Sequence, residues 1–266
     1  MTATVDSTGE PVYKERYVAF LDLLGFKTLV ELAENDASES ERLKEVLDLL
    51  NRTLCKNTYL GTRFTHFSDC IVITSDASPD ALRDIFRSVG TLTRNILQFD
   101  MFVRGGITRG GAFHSERFVY GTAVSRAALI EEDKANGAKG PLTLLSPEVY
   151  ADVKAQGHDF LQWVESDSPD RFFVHHLLNY AEYHKTPNLP GKVNLDTDAE
   201  RIAFFTSRRL LNDSGSILAK AQWFQSYWNR TVARPDGFAA IKADPSLVEP
   251  GGPRTRIVRR MWAPTQ

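Results

Sequence analysis

The chain has 266 residues, 42% of them hydrophobic and 25% charged, which fits one large globular domain or a domain with an appendage. Lys and Arg total 32 against 34 Asp and Glu, a net charge of −2, so there is no overall pull toward nucleic acid or anionic lipid. No apolar run approaches the roughly 20 residues of a membrane span, the first ten residues lack a secretory signal's features, and Cys55 and Cys70 have no metal-type spacing. A cytoplasmic protein without a disulfide, without nucleic-acid binding and without a membrane segment is expected.

Residues 1–14 are polar and are expected to fray. The stretch Tyr17-Val18-Ala19-Phe20-Leu21-Asp22-Leu23-Leu24-Gly25-Phe26 is an apolar run interrupted once by a carboxylate and broken by glycine, the pattern of a buried strand. An unpaired Asp22 inside it would be costly, so a cation is expected there: a metal ion first, an arginine as the alternative. Phe26 to Leu32 and then Leu43, Val46, Leu47, Leu50 and Leu54 recur at helical spacing. Between them, Ser38 and Glu41 have the spacing of a capping box.

Gly61 opens a hairpin, Phe64 to Thr74, with Ser68-Asp69 at its turn. If the strands of Asp22 and Asp69 are neighbours, the two carboxylates converge, and two oxygen ligands with room for water and phosphate suit Mg²⁺ or Mn²⁺. Ser78-Pro79-Asp80 starts a helix that runs through Leu82, Ile85, Phe86, Val89, Leu92, Ile96 and Leu97. Phe102 to Phe113 reads as a strand with glycines at 105, 106, 110 and 111. Such glycines imply close approach of a backbone or ligand, or a bulged, twisted strand. Tyr120-Gly121 leads into a small-residue helix, Ala123 to Ile130, which Asn136-Gly137 and Lys139-Gly140-Pro141 end. This order predicts an α+β fold, simplest as a sheet with helices on one face.

Beyond residue 141 the pattern is weaker. Leu142 to Leu145 reads as a short strand, Ser146-Pro147-Glu148 as a helix start, and Phe160 to Val164 and Phe172 to Leu178 as two strands. Residues 185–197 read as loop, and Glu200 to Asn229 as a long helical segment that Gly215 can interrupt. From Arg234 the chain is rich in Pro and Gly and ends in a basic tail with Arg254, Arg256, Arg259 and Arg260.

Four of these segments, within roughly residues 17–135, resemble the class III nucleotidyl cyclases. Phe20-Leu21-Asp22-Leu23-Leu24-Gly25-Phe26 is similar to their first metal motif, and Asp69 to the second metal aspartate on a hairpin. Arg104-Gly105-Gly106-Ile107-Thr108-Arg109-Gly110 resembles their Arg-x-Gly-Ile strand, and Gly121-Thr122-Ala123-Val124-Ser125-Arg126-Ala127-Ala128 their Gly-x-x-Val-Asn helix start. Several positions depart from the purine enzymes. Ser68 precedes the aspartate in place of glycine, and Thr65 and Phe118 stand where those enzymes carry base readers. Ser125 replaces the transition-state Asn, and Leu129 the following Arg. The Phe67-Ser68-Asp69 form, the Arg104-Gly105-Gly106 strand and the Lys220-x-x-Trp223-x-x-x-Tyr227-x-Asn229 segment resemble instead the pyrimidine cyclases of bacterial Pycsar anti-phage defence.

The resemblance implies a ferredoxin-like catalytic domain over 15–180, an antiparallel sheet with helices packed on it, and a mostly helical extension over 181–266. It implies conversion of UTP to 3′,5′-cyclic UMP and diphosphate, with cyclic CMP from CTP, or a catalytically inactive nucleotide sensor, as alternatives. Two Mn²⁺ or Mg²⁺ ions would sit on Asp22, Asp69 and the Leu23 carbonyl. Phe20, Leu24, Gly25, Phe26, Thr65, Phe118 and Lys220 would bind nucleotide, with Tyr59 and Phe64 as further pocket walls. Arg126, Ser125 and Arg104 would be catalytic, with Arg109 another cation candidate near the leaving phosphate. A homodimer with active sites at its interface follows, as does a separate effector for the cyclic product.

Overall fold

The structure is a computed structural model that describes residues 13–56, 61–132, 140–182 and 192–248. The frayed start at 1–12, Tyr59, the helix end expected at Asn136-Gly137 and the basic tail from Arg254 lie outside the described residues, as does the side chain of Cys55.

The elements run β1 (Lys14–Leu24), α1 (Phe26–Ala33), α2 (Ala37–Lys56), β2 (Arg63–Phe67), β3 (Cys70–Asp76), α3 (Pro79–Leu97), β4 (Phe102–His114), β5 (Val119–Tyr120) and α4 (Thr122–Glu132). There follow β6 (Thr143–Leu145), α5 (Pro147–Gln156), α6 (His158–Leu161), β7 (Val164–Ser168), β8 (Arg171–Val174), α7 (Leu178–Ala181), α8 (Lys192–Asn212), α9 (Gly215–Thr231) and α10 (Pro245–Val248). The sheet order is β2-β3-β1-β4-β6-β8-β7, with β5 paired to β4. Its first four strands are mutually antiparallel and, with the intervening helices, form the β-α-β-β-α-β core of a ferredoxin-like α+β fold. One parallel pair, β4 with β6, extends that core toward β8 and β7.

The described chain divides into two compact units. The first takes the described parts of Met1–Lys27, Leu47–Thr93 and Phe102–His176. Its central strand β1 alternates between two layers. Tyr17, Ala19, Leu21 and Leu23 are buried, as are Ile71, Ile73, Val103 and Ile107 of the same parity on the flanking strands. On the other face Val18, Val72 and Ala112 form a core with Ala123 and Ala127 of α4. Gly106 lets that helix seat. A Cβ there would lie 2.6 Å from Ile130 Cβ and 2.7 Å from the Ala127 carbonyl oxygen. A Cβ on Gly105 would lie 2.2 Å from the Phe20 carbonyl oxygen. The close approach signalled by the glycines is therefore made by the protein itself.

Helices lie toward both faces, against the simplest one-faced expectation. α4 packs on the Val18 side, while Asp152 of α5 accepts from Tyr17 Oη at 2.9 Å and from Arg109 Nη1 at 2.7 Å on the other. Phe160 and Leu161 fall in α6 rather than in a strand, because Gly157 turns the chain and its carbonyl accepts the Phe160 N–H. The strand follows at Val164–Ser168, where a polar edge sequence hides it from a hydrophobicity reading. The strand expected over Phe172 to Leu178 ends at Val174, and the loop expected over 185–197 contains the start of α8. The cap of α2 is Asp36, not Ser38. Its Oδ1 accepts from the N–H groups of Ser38 and Glu39.

The second unit takes the described parts of Thr28–Val46, Arg94–Met101 and Leu177–Gln266. Its long helices break at Asp213-Ser214, with Gly215 at φ 57. Trp228, Tyr180, Tyr227 and Phe224 are the largest buried side chains among its described residues, and Trp228 Nε1 donates to the Ala239 carbonyl at 3.1 Å. Asp100, buried and at φ 59, is held by Arg208 and Arg209. No helix among the described residues is long and apolar enough to cross a membrane.

A candidate metal and phosphate site at the end of β1

The apolar run of β1 places Asp22 three residues before Gly25, where the strand ends and α1 begins after a residue at φ 99. In register, Asp22 faces Cys70 of β3 on one side and Arg104 of β4 on the other. Phe67 pairs with Cys70, so Ser68 and Asp69 form a two-residue turn, as expected. Ser68 adopts φ 55, a conformation glycine takes most readily. The turn is latched to β1, because the Leu23 N–H donates to the Asp69 carbonyl at 2.9 Å. Ligand atoms of Asp22, Asp69 and Cys70 consequently lie within 4.8 Å of one another, all partly buried.

The two carboxylates fit a divalent cation of the Mg²⁺ or Mn²⁺ type, since both offer hard oxygen donors from rigid strand ends. Cys70 was missed in the sequence because its spacing to other ligands is unremarkable; only its place beside Asp69 signalled it. Burial, then the charges of Asp69 and Asp22, push its thiol up to about 11. At neutral pH it carries its proton and is the weakest donor of the three.

The arginine expected as the alternative partner of Asp22 is present. Besides facing Asp69, Asp22 accepts from Arg104 Nη2 at 3.1 Å, and Arg104 also pairs with Glu131 near the end of α4. Burial raises the Glu131 pKa first, Arg104 opposes this, and the charge of Asp22 adds to it. Glu131 had no signal in the sequence beyond its place on α4.

The site thus gathers Asp22, Leu23, Asp69 and Arg104, with Leu24, Gly25 and Phe26 following at the turn into α1. Phe20 and Thr65 lie one row away on the same face, through the register Gly106-Phe20-Val72-Thr65. Arg109 is held elsewhere, by Asp152 and Glu15. Ser125 and Arg126 are exposed on α4, and Arg126 donates to the Arg109 carbonyl and pairs with Glu148 at 3.3 Å. Arg109 pairs in register with Tyr17, five residues before Asp22 on β1, and it is there that Arg126 is held. Phe118 is 63% exposed, and Lys220 is on α9 of the second unit.

No protein-family model matches the chain, and no curated protein does. Among solved structures it is similar to a bacterial light-regulated adenylyl cyclase, with 15% identity, a TM-score of 0.42, and coverage of 63% of this chain and 53% of that one. A second structure of a bacterial light-regulated adenylyl cyclase shows 13% identity, a TM-score of 0.41 and coverage of 64% and 56%. The catalytic core of a rhodopsin-guanylyl cyclase with converted specificity, in complex with ATPαS, shows 13% identity, a TM-score of 0.43 and coverage of 61% and 95%. The match spans about half the length of the light-regulated proteins.

Proposed function

We propose that this protein is a pyrimidine nucleotide cyclase that converts UTP to 3′,5′-cyclic UMP and diphosphate. The observation that carries the reading is the convergence of Asp22 and Asp69, far apart in sequence, at the strand end that leads through Gly25 into α1. The motif resemblance supplies the reaction class. It is also what supports residues 15–180 as the catalytic segment with 181–266 as its extension, a cytoplasmic setting, and a role in anti-phage defence through a separate effector.

Asp22 and Asp69 would hold the divalent ions. The Leu23 carbonyl leaves β1 on the same edge as the N–H that meets the 68–69 turn, and would be a further ligand. Bound there, the metal supplies positive charge that lowers the pKa of the ribose 3′-hydroxyl and offsets charge building on the leaving diphosphate. The N–H groups of Leu24, Gly25 and Phe26, at the step from β1 into α1, would cradle phosphate oxygens. Arg104 keeps its pair with Glu131 while its contact to Asp22 is exchanged, so its charge stays beside the phosphates.

Ser125 and Arg126 are exposed on α4, and Arg126 contacts the Arg109 carbonyl and Glu148; this and the motif resemblance support a homodimer whose two sites combine residues of both copies. Mixing Asp22→Ala and Arg126→Ala chains is then expected to restore activity that neither has alone. An inactive nucleotide sensor is the second reading, favoured by the Arg104–Asp22 pair and by Ser125 and Leu129. Incubation of the pure chain with each of four nucleoside triphosphates and Mn²⁺, with products identified by mass, separates the two. Cyclic UMP is expected; a linear product, or none from any triphosphate, overturns the cyclase.

A further inference from the structure

Cys70 opens β3 with its thiol inside the carboxylate site. It stands opposite Asp22 in register and directly follows Asp69 at the end of the hairpin turn. Its Sγ lies 3.8 Å from Asp69 Oδ1, as a thiol donating to a carboxylate. Ligand atoms of the three residues all fall within 4.8 Å of one another.

That spacing fits one ion. A tetrahedral Zn²⁺, with bonds of about 2.3 Å to sulfur and about 2.1 Å to oxygen, holds those two atoms roughly 3.6 Å apart. Sγ and Oδ1 therefore already stand at the separation of two ligands on one cation. The ion would take the place of the thiol proton, which passes to solvent, because a coordinating thiol is deprotonated outright. Asp22 supplies the third donor by exchanging its contact to Arg104, and Arg104 keeps its pair with Glu131. Backbone holds all three in place: strand pairing sets Asp22 against Cys70, and the Leu23 N–H fixes the Asp69 carbonyl.

Hard and soft cations use such a cluster differently. Mg²⁺ and Mn²⁺ take oxygen donors and leave a protonated thiol aside, whereas thiolate favours Zn²⁺ and its heavier congener Cd²⁺.

We infer that Asp22, Asp69 and Cys70 form a three-ligand site for a thiophilic divalent cation, Zn²⁺ foremost, which excludes Mg²⁺ or Mn²⁺ from the same two carboxylates. The inference rests on the convergence of the three side chains and not on the cyclase reading.

Cadmium is the probe, because a thiolate bound to Cd²⁺ gives an ultraviolet charge-transfer band that carboxylates do not. Titration of the reduced, nucleotide-free full chain with Cd²⁺ is expected to raise that band to saturation at one ion per chain. Cys55→Ser is expected to keep the band and Cys70→Ser to lose it. By calorimetry, Cys70→Ser is expected to weaken Zn²⁺ binding at least about tenfold and Mn²⁺ binding less than about twofold. In the wild-type chain, Zn²⁺ is expected to release bound Mn²⁺, read by the paramagnetic signal of the free ion. No band in the wild-type chain, a band that survives in Cys70→Ser, or Mn²⁺ that stays bound at saturating Zn²⁺ would overturn the inference. A chain that takes Cd²⁺ through Cys70 yet makes no cyclic product would end the cyclase reading and leave this site standing.

Discussion

The Leu23 N–H donates to the Asp69 carbonyl at 2.9 Å, so main chain, not side chain, holds the hairpin turn against the end of β1. The separation of the two carboxylates is set by backbone that no substitution at Asp69 removes. Asp69→Asn is accordingly expected to change unfolding free energy by no more than about 0.5 kcal/mol. Mn²⁺ affinity, read by calorimetry, is expected to fall more than about tenfold. Unchanged affinity would take Asp69 out of the site.

Gly106 lies under α4 with no room for a side chain, whereas a Cβ on Gly111 of the same strand would meet nothing nearer than Thr122 Oγ1 at 3.9 Å. Gly106→Ala is expected to destabilise the protein by about 1–3 kcal/mol, and Gly111→Ala to be much closer to neutral. Urea unfolding of the two variants checks the contrast.

Two buried histidines make stability depend on pH. His114 is pushed down to about 4 and His176 to about 3, in both cases by burial first. Between those values and the ordinary pKa near 6.5, the unfolded chain binds more protons than the folded one, so stability rises with pH. It is expected to be fully present above about pH 6.5 and to be lost progressively as the pH falls toward 3. Urea midpoints measured at pH 7 and pH 5 should decrease in that order; an equal or higher midpoint at pH 5 would contradict the burial of neutral rings.

Asp100 receives Arg209 Nε at 2.7 Å and pairs with Arg208, with its own side chain only 6% exposed. Asp100→Asn keeps the shape and removes the charge, leaving two guanidinium groups facing a neutral amide. A loss of about 3–5 kcal/mol is expected, from the cost of breaking a buried pair. Thermal unfolding checks it, and a loss below about 1 kcal/mol would show that solvent already satisfies both arginines.

Much of the first unit was legible in the chain alone because its signals are local. The run around Asp22, the Ser68-Asp69 turn, the proline start of α3 and the small residues of α4 each declare themselves within a dozen residues. Polar and short elements did not. β7 carries Val-Glu-Ser-Asp-Ser at a sheet edge, where no alternation is needed, and α6 is one turn set by Gly157. The partners of the site were out of reach altogether. Arg104 stands 82 residues from Asp22, and His114 is 49 from Thr65 and 40 from Thr74.

The linear order of residues by itself determined the longer, strongly periodic strands and helices of the first unit, and that two aspartates sit at strand ends, because the periods of 2 and 3.6 residues are properties of neighbouring side chains. Only the tertiary structure decided that those aspartates meet, that Arg104 and Glu131 stand beside them, and that His114 meets Thr65 and Thr74. These depend on strand register, and register is a relation between distant segments that no local pattern encodes.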